Sequence, residues 1–267
     1  MFKLKPHTIL KIKQLFYILL WVCLFVVFVC AYWFGFKKEA TQKCTQVDVQ
    51  ILPQEIKFIN QKQVIDFASN KAQKGKCLVG TPLSKLNILQ MEKRLSQIPF
   101  IQSAQVYANI DGKLSIELQQ RVPMIRVERY DGMQFYIDQY GVKFPLCDQY
   151  VHRVLFANGN IFERFEKEDT VYSFVGNELF KVASYVDNDP FLKALVEQIF
   201  VRAGNEMVLI PKMGDFEIIL GSTEDLSDKF EKLKVFYKEA LNRIGWDNFG
   251  TIDLRFKSQV VCKKNKA

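Results

Sequence analysis

The stretch AQVYANIDGKLSIELQ, residues 104–119, decides the fold. Ala104, Val106, Ala108 and Ile110 alternate with Gln105, Tyr107 and Asn109. After them Leu114, Ile116 and Leu118 alternate with Ser115, Glu117 and Gln119. A two-residue period puts successive side chains on opposite faces, so each half predicts a strand with one apolar face. Asp111 and Gly112 between the halves form a two-residue loop of the kind whose backbone twist matches that of paired strands. A hairpin apolar on one face needs cover from neighbouring elements.

The residues upstream supply that cover. Val47, Val49 and Ile51 alternate with Asp48 and Gln50, which predicts a strand that Pro53 ends. A helix is expected from Asn60 or Gln61 to about Ala72, with Val64, Ile65, Phe67 and Ala68 on its apolar side; Lys74, Gly75 and Lys76 break it. Pro82 is expected to start a second helix carrying Leu83, Leu86, Leu89, Leu95 and Ile98, which Pro99 stops. Residues 46–120 thus predict a βααββ domain of α+β class.

Further upstream, residues 15–36 hold no charge and contain fourteen Leu, Ile, Val or Phe among 22 residues. About 20 apolar residues cross the hydrocarbon core as a helix, and a buried helix of a water-soluble domain would show a polar stripe. Residues 15–36 are therefore expected to be a single transmembrane helix. Lys3, Lys5, Lys11 and Lys13 precede it with no acidic residue, so residues 1–14 are expected to be a cytoplasmic tail and the rest to be exported. No A-x-A pattern follows, which favours an uncleaved anchor over a cleaved signal peptide. Residues 37–45 read as a linker.

Charge excludes one class of partner. The chain has 37 basic and 29 acidic residues; without the four N-terminal lysines, 33 against 29 leaves +4. A balance that modest, with both signs interspersed, gives no case for nucleic acid. Cys44, Cys77, Cys147 and Cys262 are widely spaced and form no C-x-x-C, so a zinc site is not expected; isolated thiols are expected, the alternative being one or two disulfides in an oxidising compartment, whose pairing the spacing does not give.

Downstream, residues 124–130 and 133–138 flank Asp131 and Gly132 and predict a second hairpin. Asp189 and Pro190 read as a helix cap and first residue, with Phe191, Leu192, Leu195, Val196 and Ile199 on the buried side. Residues 208–210 and 216–220 predict strands. Ser222 and Asp225 suggest a capping box ahead of a helix carrying Leu226, Phe230, Leu233, Tyr237, Leu241 and Ile244, ended by Gly245. The run TIDLRFKSQVV, residues 251–261, predicts a terminal strand. It puts Ile252, Leu254, Phe256 and Val260 on one face, and Asp253, Arg255, Lys257 and Gln259 on the other.

The sequence carries no catalytic pattern. His7 falls in the tail and His152 stands alone, which favours a structural or surface role. Glu163, Glu166, Glu168 and Asp169 read as a solvated acidic loop, since an acid–base pair needs a member in a perturbing environment. No phosphate loop, G-x-S-x-G or H-E-x-x-H occurs. No catalytic residue, cofactor or metal is expected.

The run RLSQIPFIQSAQVYANIDGKLSIELQQRVPMIRV, residues 94–127, resembles the bacterial cell-division family FtsQ, called DivIB in Gram-positive bacteria. The shared pattern is a Pro-aromatic step, a hairpin and an Arg-x-Pro junction, here Arg121, Val122 and Pro123. The order of elements in residues 46–120 resembles the POTRA module. FYIDQYGVKFP, residues 135–145, resembles the family turn through Asp138, Gly141, Phe144 and Pro145, and IDLRF with its later Val pair resembles the family's terminal strand. The resemblance implies an FtsQ-type, mostly antiparallel β domain with helices over residues 121–262, followed by a basic tail, residues 263–267.

It also implies a non-catalytic scaffold anchored in the inner membrane at the division septum, linking the cytoplasmic ring to septal peptidoglycan synthesis. The implied partners are FtsB-like and FtsL-like proteins, bound by β-strand addition, and other divisome proteins docked on the POTRA-like domain. Carried over by motif, the partner-binding residues are Asp253, Arg255, Phe256, Ser258 and Val260. Arg255 would meet an acidic residue and Ser258 would sit on the pairing edge. Phe256 lacks the hydroxyl of the tyrosine common in relatives, and Gln259 replaces a small residue. The competing readings are a membrane-anchored envelope enzyme and a POTRA-bearing secretion or assembly component.

Overall fold

The computed structural model describes residues 17–30, 32, 42–69, 78–109, 111–165, 169–241, 245, 249–257 and 259–264. Residues 17–30 and 32 are helical, and their large apolar side chains are exposed. The rest of the expected 15–36 span lies outside the described residues, among which no helix is long and apolar enough to cross a membrane. The described residues form two compact units. The first comprises the described residues within 1–50, 61–95 and 104–118, and the second those within 51–60, 96–103 and 119–267.

The first unit holds most of a three-stranded sheet and two helices. Strands β1 (Gln46–Leu52), β2 (Ile101–Ala108) and β3 (Lys113–Gln120) lie in the order β1-β3-β2. Val106, Leu114, Ile116 and Leu118 are buried, while Gln105, Tyr107 and Asn109 are exposed, as the alternation requires. Gly112 has φ +82°, and a Cβ there would lie 2.7 Å from the Lys43 carbonyl oxygen, so the loop demands glycine twice over. Helix α1 (Gln61–Ala68) buries Val64 and Ala68 but leaves Phe67 exposed. The expected extension of this helix falls among residues 70–77, outside the described set. Helix α2 (Ile88–Ser96) starts six residues later than Pro82 predicts. A 3₁₀ turn at Leu83–Lys85 comes first, Leu86 is extended, and the Asn87 side chain accepts from the Gln90 amide at 3.0 Å. Asparagine's preference for capping over continuing a helix explains the late start. Met91 and Leu95 face inward; Leu89 is exposed.

The second unit is built on a nine-stranded sheet. Its strands are β4 (Pro123–Glu128), β5 (Gln134–Asp138), β6 (Lys143–Pro145), β7 (Leu155–Gly159), β8 (Val196–Val201), β9 (Met207–Pro211), β10 (Glu217–Gly221), β11 (Phe249–Asp253) and β12 (Val261–Lys264). They run in the order β12-β11-β10-β9-β8-β7-β4-β5-β6. The pairs β4–β5, β5–β6, β8–β9, β9–β10 and β11–β12 are antiparallel, while β4–β7, β7–β8 and β10–β11 are parallel. The sheet is thus mostly antiparallel, as the resemblance implies.

Parallel pairs need long crossovers; helices supply those of β7–β8 and β10–β11, while the β4–β7 connection runs through β5 and β6. Helix α3 (Phe174–Asn188) was not legible as a helix in the sequence. It buries Leu179, Val182, Ala183 and Val186, one stripe at three- and four-residue spacing. The Ser173 hydroxyl accepts from the Gly176 amide and opens it. Helix α4 (Pro190–Leu195) begins as expected: Asp189 accepts from the amides of Phe191 and Leu192. It ends after six residues, so Val196 and Ile199 are strand residues rather than the helical ones predicted. Helix α5 (Leu226–Phe236) buries Phe230 and Leu233 and continues as a π-helical turn at Tyr237–Leu241. Its expected capping box does not form, because Asp225 is left-handed (φ 52°) and caps nothing. Ile244 lies outside the described residues.

These helices cover one face of the sheet. Ile125, Val127, Ala157, Ile199, Val201, Leu209, Ile218, Leu220 and Ile252 meet the helical side chains in one core. Burial of each large side chain contributes about 1.5–3 kcal/mol. A second cluster gathers Ile56, Phe58, Tyr136 and Phe144 with Phe100 and Tyr150 packed against them. Arg121 of the Arg-x-Pro junction reaches the Asp138 carboxylate at 2.9 Å. Asp138 also accepts from the amides of Tyr140 and Val142, closing the turn where Gly141 has φ +78°. The two family-like motifs therefore hold each other. Cys147 and Cys262 are free thiols, Cys44 is buried, and Cys77 lies outside the described residues.

Candidate functional site

The C-terminal residues form the end of the large sheet. β11 is held on both sides: parallel to β10, with Ile218 beside Ile252, and antiparallel to β12, with Cys262 beside Ile252. The Leu254 amide donates to the Ile219 carbonyl at 2.9 Å, which continues the pairing one residue past β11. The chain then reverses. The single strand expected over residues 251–261 is instead two antiparallel strands with a turn between them. The alternation itself carried a warning: residue 258 should be apolar to continue the buried face, and it is a serine. With neither glycine nor proline in the turn, nothing else in the sequence marked it.

Ion pairs pin this reversal. The Arg255 guanidinium donates to Asp253 through Nε at 2.9 Å and Nη2 at 2.6 Å, and its Nη1 reaches Glu206 at 2.8 Å. The Arg255 amide also donates to Asp253 at 3.1 Å. Glu206 pairs with Arg202 at 3.2 Å, and Arg202 meets Glu217 on β10. Burial opposes ionisation of Asp253, but the side-chain and amide hydrogen bonds from Arg255 outweigh it and hold the carboxyl below its usual value. Gly221 makes room for the arginine stem; a Cβ there would lie 2.7 Å from Arg255 Cγ. From the helix side, Lys232 of α5 donates to the carbonyls of Phe256 at 2.7 Å and Lys257 at 3.1 Å.

The residues singled out in the sequence separate accordingly. Asp253 is buried and engaged with Arg255. Arg255 is half-exposed and already shared between two carboxylates of its own chain. Phe256, expected on the apolar face, is 46% exposed and so is not a core residue. Val260 is partly buried against the core. Ser258 lies outside the described residues. The element that sequence reading missed is β12 itself. Among the described residues nothing pairs with its outer edge. The opposite end of the sheet differs: beside β6, the Lys143 amide donates to the Asp169 carbonyl at 2.8 Å, and the Val171 amide donates to Gly141. Among the described residues, one end is covered and the other presents unpaired backbone groups.

The residues considered for catalysis do not converge. His152 lines a cleft of about 840 Å³ with Val122, Arg126, Arg153 and Val196, but Glu163 and Asp169 do not. Burial lowers the His152 pKa, its Nδ1 lies 2.8 Å from the Tyr150 hydroxyl, and its backbone is bonded to the Tyr136 hydroxyl. Glu163 is no solvated loop residue. It is 1% exposed and lies 3.0 Å from the fully buried ammonium of Lys143. Lys143 also donates to the Arg164 carbonyl at 2.7 Å and to Asp169 at 3.3 Å, beneath the Tyr172 ring. Glu163 accepts in addition from the amides of Tyr172 and Ser173 and from the Ser173 hydroxyl. Charges satisfied this fully make a structural clamp. Glu166 and Glu168 lie outside the described residues.

Comparison with known proteins agrees with this architecture. A POTRA-like domain matches residues 42–119. The family described as FtsQ/DivIB, C-terminal related matches residues 122–263, more than half of the chain. No curated protein matches. The two matched regions follow one another along the chain, and the second includes all of the nine-stranded sheet except Lys264, the last residue of β12. The chain therefore belongs to the FtsQ/DivIB family of cell-division proteins, non-catalytic membrane proteins of the division septum that work through protein–protein contacts.

Proposed function

We propose that this chain is a membrane-anchored scaffold that captures a strand of an FtsB-like protein, itself paired with an FtsL-like one, on the outer edge of β12. The observation that carries the proposal is that, among the described residues, one end of the sheet is unpaired while the other is covered. Strand addition draws affinity from backbone hydrogen bonds and selectivity from side chains. Phe256 and Val260 flank the added strand. Asp253 and Arg255 act from behind, holding the reversal that presents β12.

Residues 15–36 are the anchor. The exposed apolar side chains of residues 17–29 demand a non-aqueous surrounding, and the basic residues before them put the N-terminus in the cytoplasm. The POTRA-like region, residues 46–120, is a second docking surface for other division proteins. Anchoring both regions to one membrane raises their effective concentration near membrane-bound partners. By this reading the chain connects the cytoplasmic ring to septal peptidoglycan synthesis and does no chemistry itself.

Deleting residues 260–267 tests the proposal. The shortened protein is expected to keep its far-UV spectrum and membrane fraction, to lose co-purification of the FtsB–FtsL-like pair, and to leave cells as filaments without septa. Undiminished co-purification by a folded deletion protein would contradict it.

A further inference from the structure

We infer that the cleft beside His152 binds a single-chain amphiphilic anion, a carboxylate or phosphate head on a short apolar body. The site is independent of strand capture: it lies wholly within the second unit, among residues that take no part in presenting β12.

Sheet topology opens the cleft. β7 lies between β4 and β8, but it pairs with β4 only from Leu155, opposite Ile125, and with β8 only from Phe156, opposite Gln198. Among the described residues no strand fills the gap below that level. Each flanking strand also slips register there, β4 against β5 between Pro123 and Ile125, and β8 against β9 between Val196 and Gln198. Such bulges re-aim side chains and gather beside functional sites. The cavity, about 840 Å³, falls in the range of about 300–1,000 Å³ usual for small-ligand pockets.

The walls select the body of the ligand and the charges its head. Val122, Met124, Val154, Leu155, Val186 and Val196 give an apolar lining, which favours a hydrocarbon body. The charged groups around that lining do not balance. Lys193 and Asp187 pair at 2.6 Å and cancel. Arg126 donates to the neutral Gln134 side chain at 3.1 Å, Lys212 donates to the Lys193 carbonyl at 2.8 Å, and Arg153 is exposed. Glu128, two residues along the strand from Arg126, accepts from Gln134 instead. Among the described residues none of these three cations has an ion-pair partner, and one unpaired carboxylate of the cleft, Glu197, stands against them. A surplus of positive charge beside an apolar lining is complemented by an anionic head. His152 adds a neutral polar group: burial lowers its pKa, its Nδ1 lies 2.8 Å from the Tyr150 hydroxyl, and its Nε2 has no hydrogen-bond partner among the described residues. Fatty acids and single-chain phosphorylated lipids share this ligand chemistry.

The test uses the full-length protein in nanodiscs of zwitterionic lipid, with isotope-labelled histidine rings read by NMR. The chain has two histidines, His7 and His152, so the His152 ring signal reports on the cleft. Octanoate and octyl phosphate, kept below micelle formation, are expected to shift that signal saturably with no parallel change at His7. The tighter of the two identifies the source as a fatty acid or a phosphorylated lipid. Octanol and octyltrimethylammonium should bind at least about fivefold more weakly. Acetate and inorganic phosphate, which lack the apolar body, should leave the signal in place at the same concentrations. Arg153→Glu combined with Lys212→Glu, both at exposed positions, should weaken octanoate binding at least about tenfold with the circular dichroism spectrum unchanged.

Octanol binding as tightly as octanoate overturns the anionic head, and acetate binding as tightly overturns the apolar body. Octanoate affinity unaltered in the double variant, or no His152 shift with any probe, overturns the site itself.

Discussion

Lys143 shows how far a single residue can depart from what its neighbours in sequence suggest. It stands between Val142 and Phe144 in a short strand, where a lysine would be expected to reach solvent. Instead its ammonium is fully buried among Glu163, Asp169 and the Arg164 carbonyl. Glu163 was equally illegible, since its partners lie 20 residues upstream and ten residues downstream. Pairings of that kind are set by the crossover between strands, and composition holds no trace of them. Removing one member of a buried pair leaves the other charged and uncompensated. Lys143→Met is expected to lower unfolding stability by about 3 kcal/mol, read as a shift in the urea midpoint. Adding Glu163→Gln should restore part of it. A midpoint unmoved by Lys143→Met would show that the clamp contributes nothing net.

Among the elements, the two hairpins closed by Asp-Gly loops are the most legible in the sequence. The hairpin of β2 and β3 and that of β4 and β5 both carry an Asp-Gly loop with glycine at φ +82°, and local chemistry suffices to place them. Elements defined by tertiary context were not read. β8 was absorbed into the helix that Asp189 and Pro190 start, because Val196 and Ile199 fit a helical stripe as well as a strand. α3 went unseen although its buried stripe is regular. The terminal strand was read as continuous because the arginine that bends it, Arg255, fits an alternating pattern.

That bend has a pH signature. The Asp253 carboxyl titrates below its unfolded value, so its contribution is fully present above about pH 4 and is lost as pH falls through the depressed folded value. Stability of the wild type should therefore decline over that acid range, and Asp253→Asn should flatten the decline. Identical acid profiles for the two proteins would remove the Asp253–Arg255 pair from the account of how β12 is presented.

For the whole molecule, the order of parts is legible in the sequence: an apolar segment, a βααββ region, then a larger β region matching the FtsQ/DivIB family. Which edge of the large sheet stays open was not, because openness depends on the residues that cover each end. Residues 169–171 close the β6 end, and among the described residues nothing closes the β12 end. The scaffold reading stands on that asymmetry, and amide hydrogen exchange measures it most directly. In the full-length protein, the amides of Val261–Lys264 that are not bonded to β11 should exchange rapidly. Adding the purified FtsB–FtsL-like pair should slow them by at least about tenfold, with the amides of Lys143–Pro145 unchanged. Partner binding that leaves exchange at Val261–Lys264 unaltered would contradict strand capture at this edge.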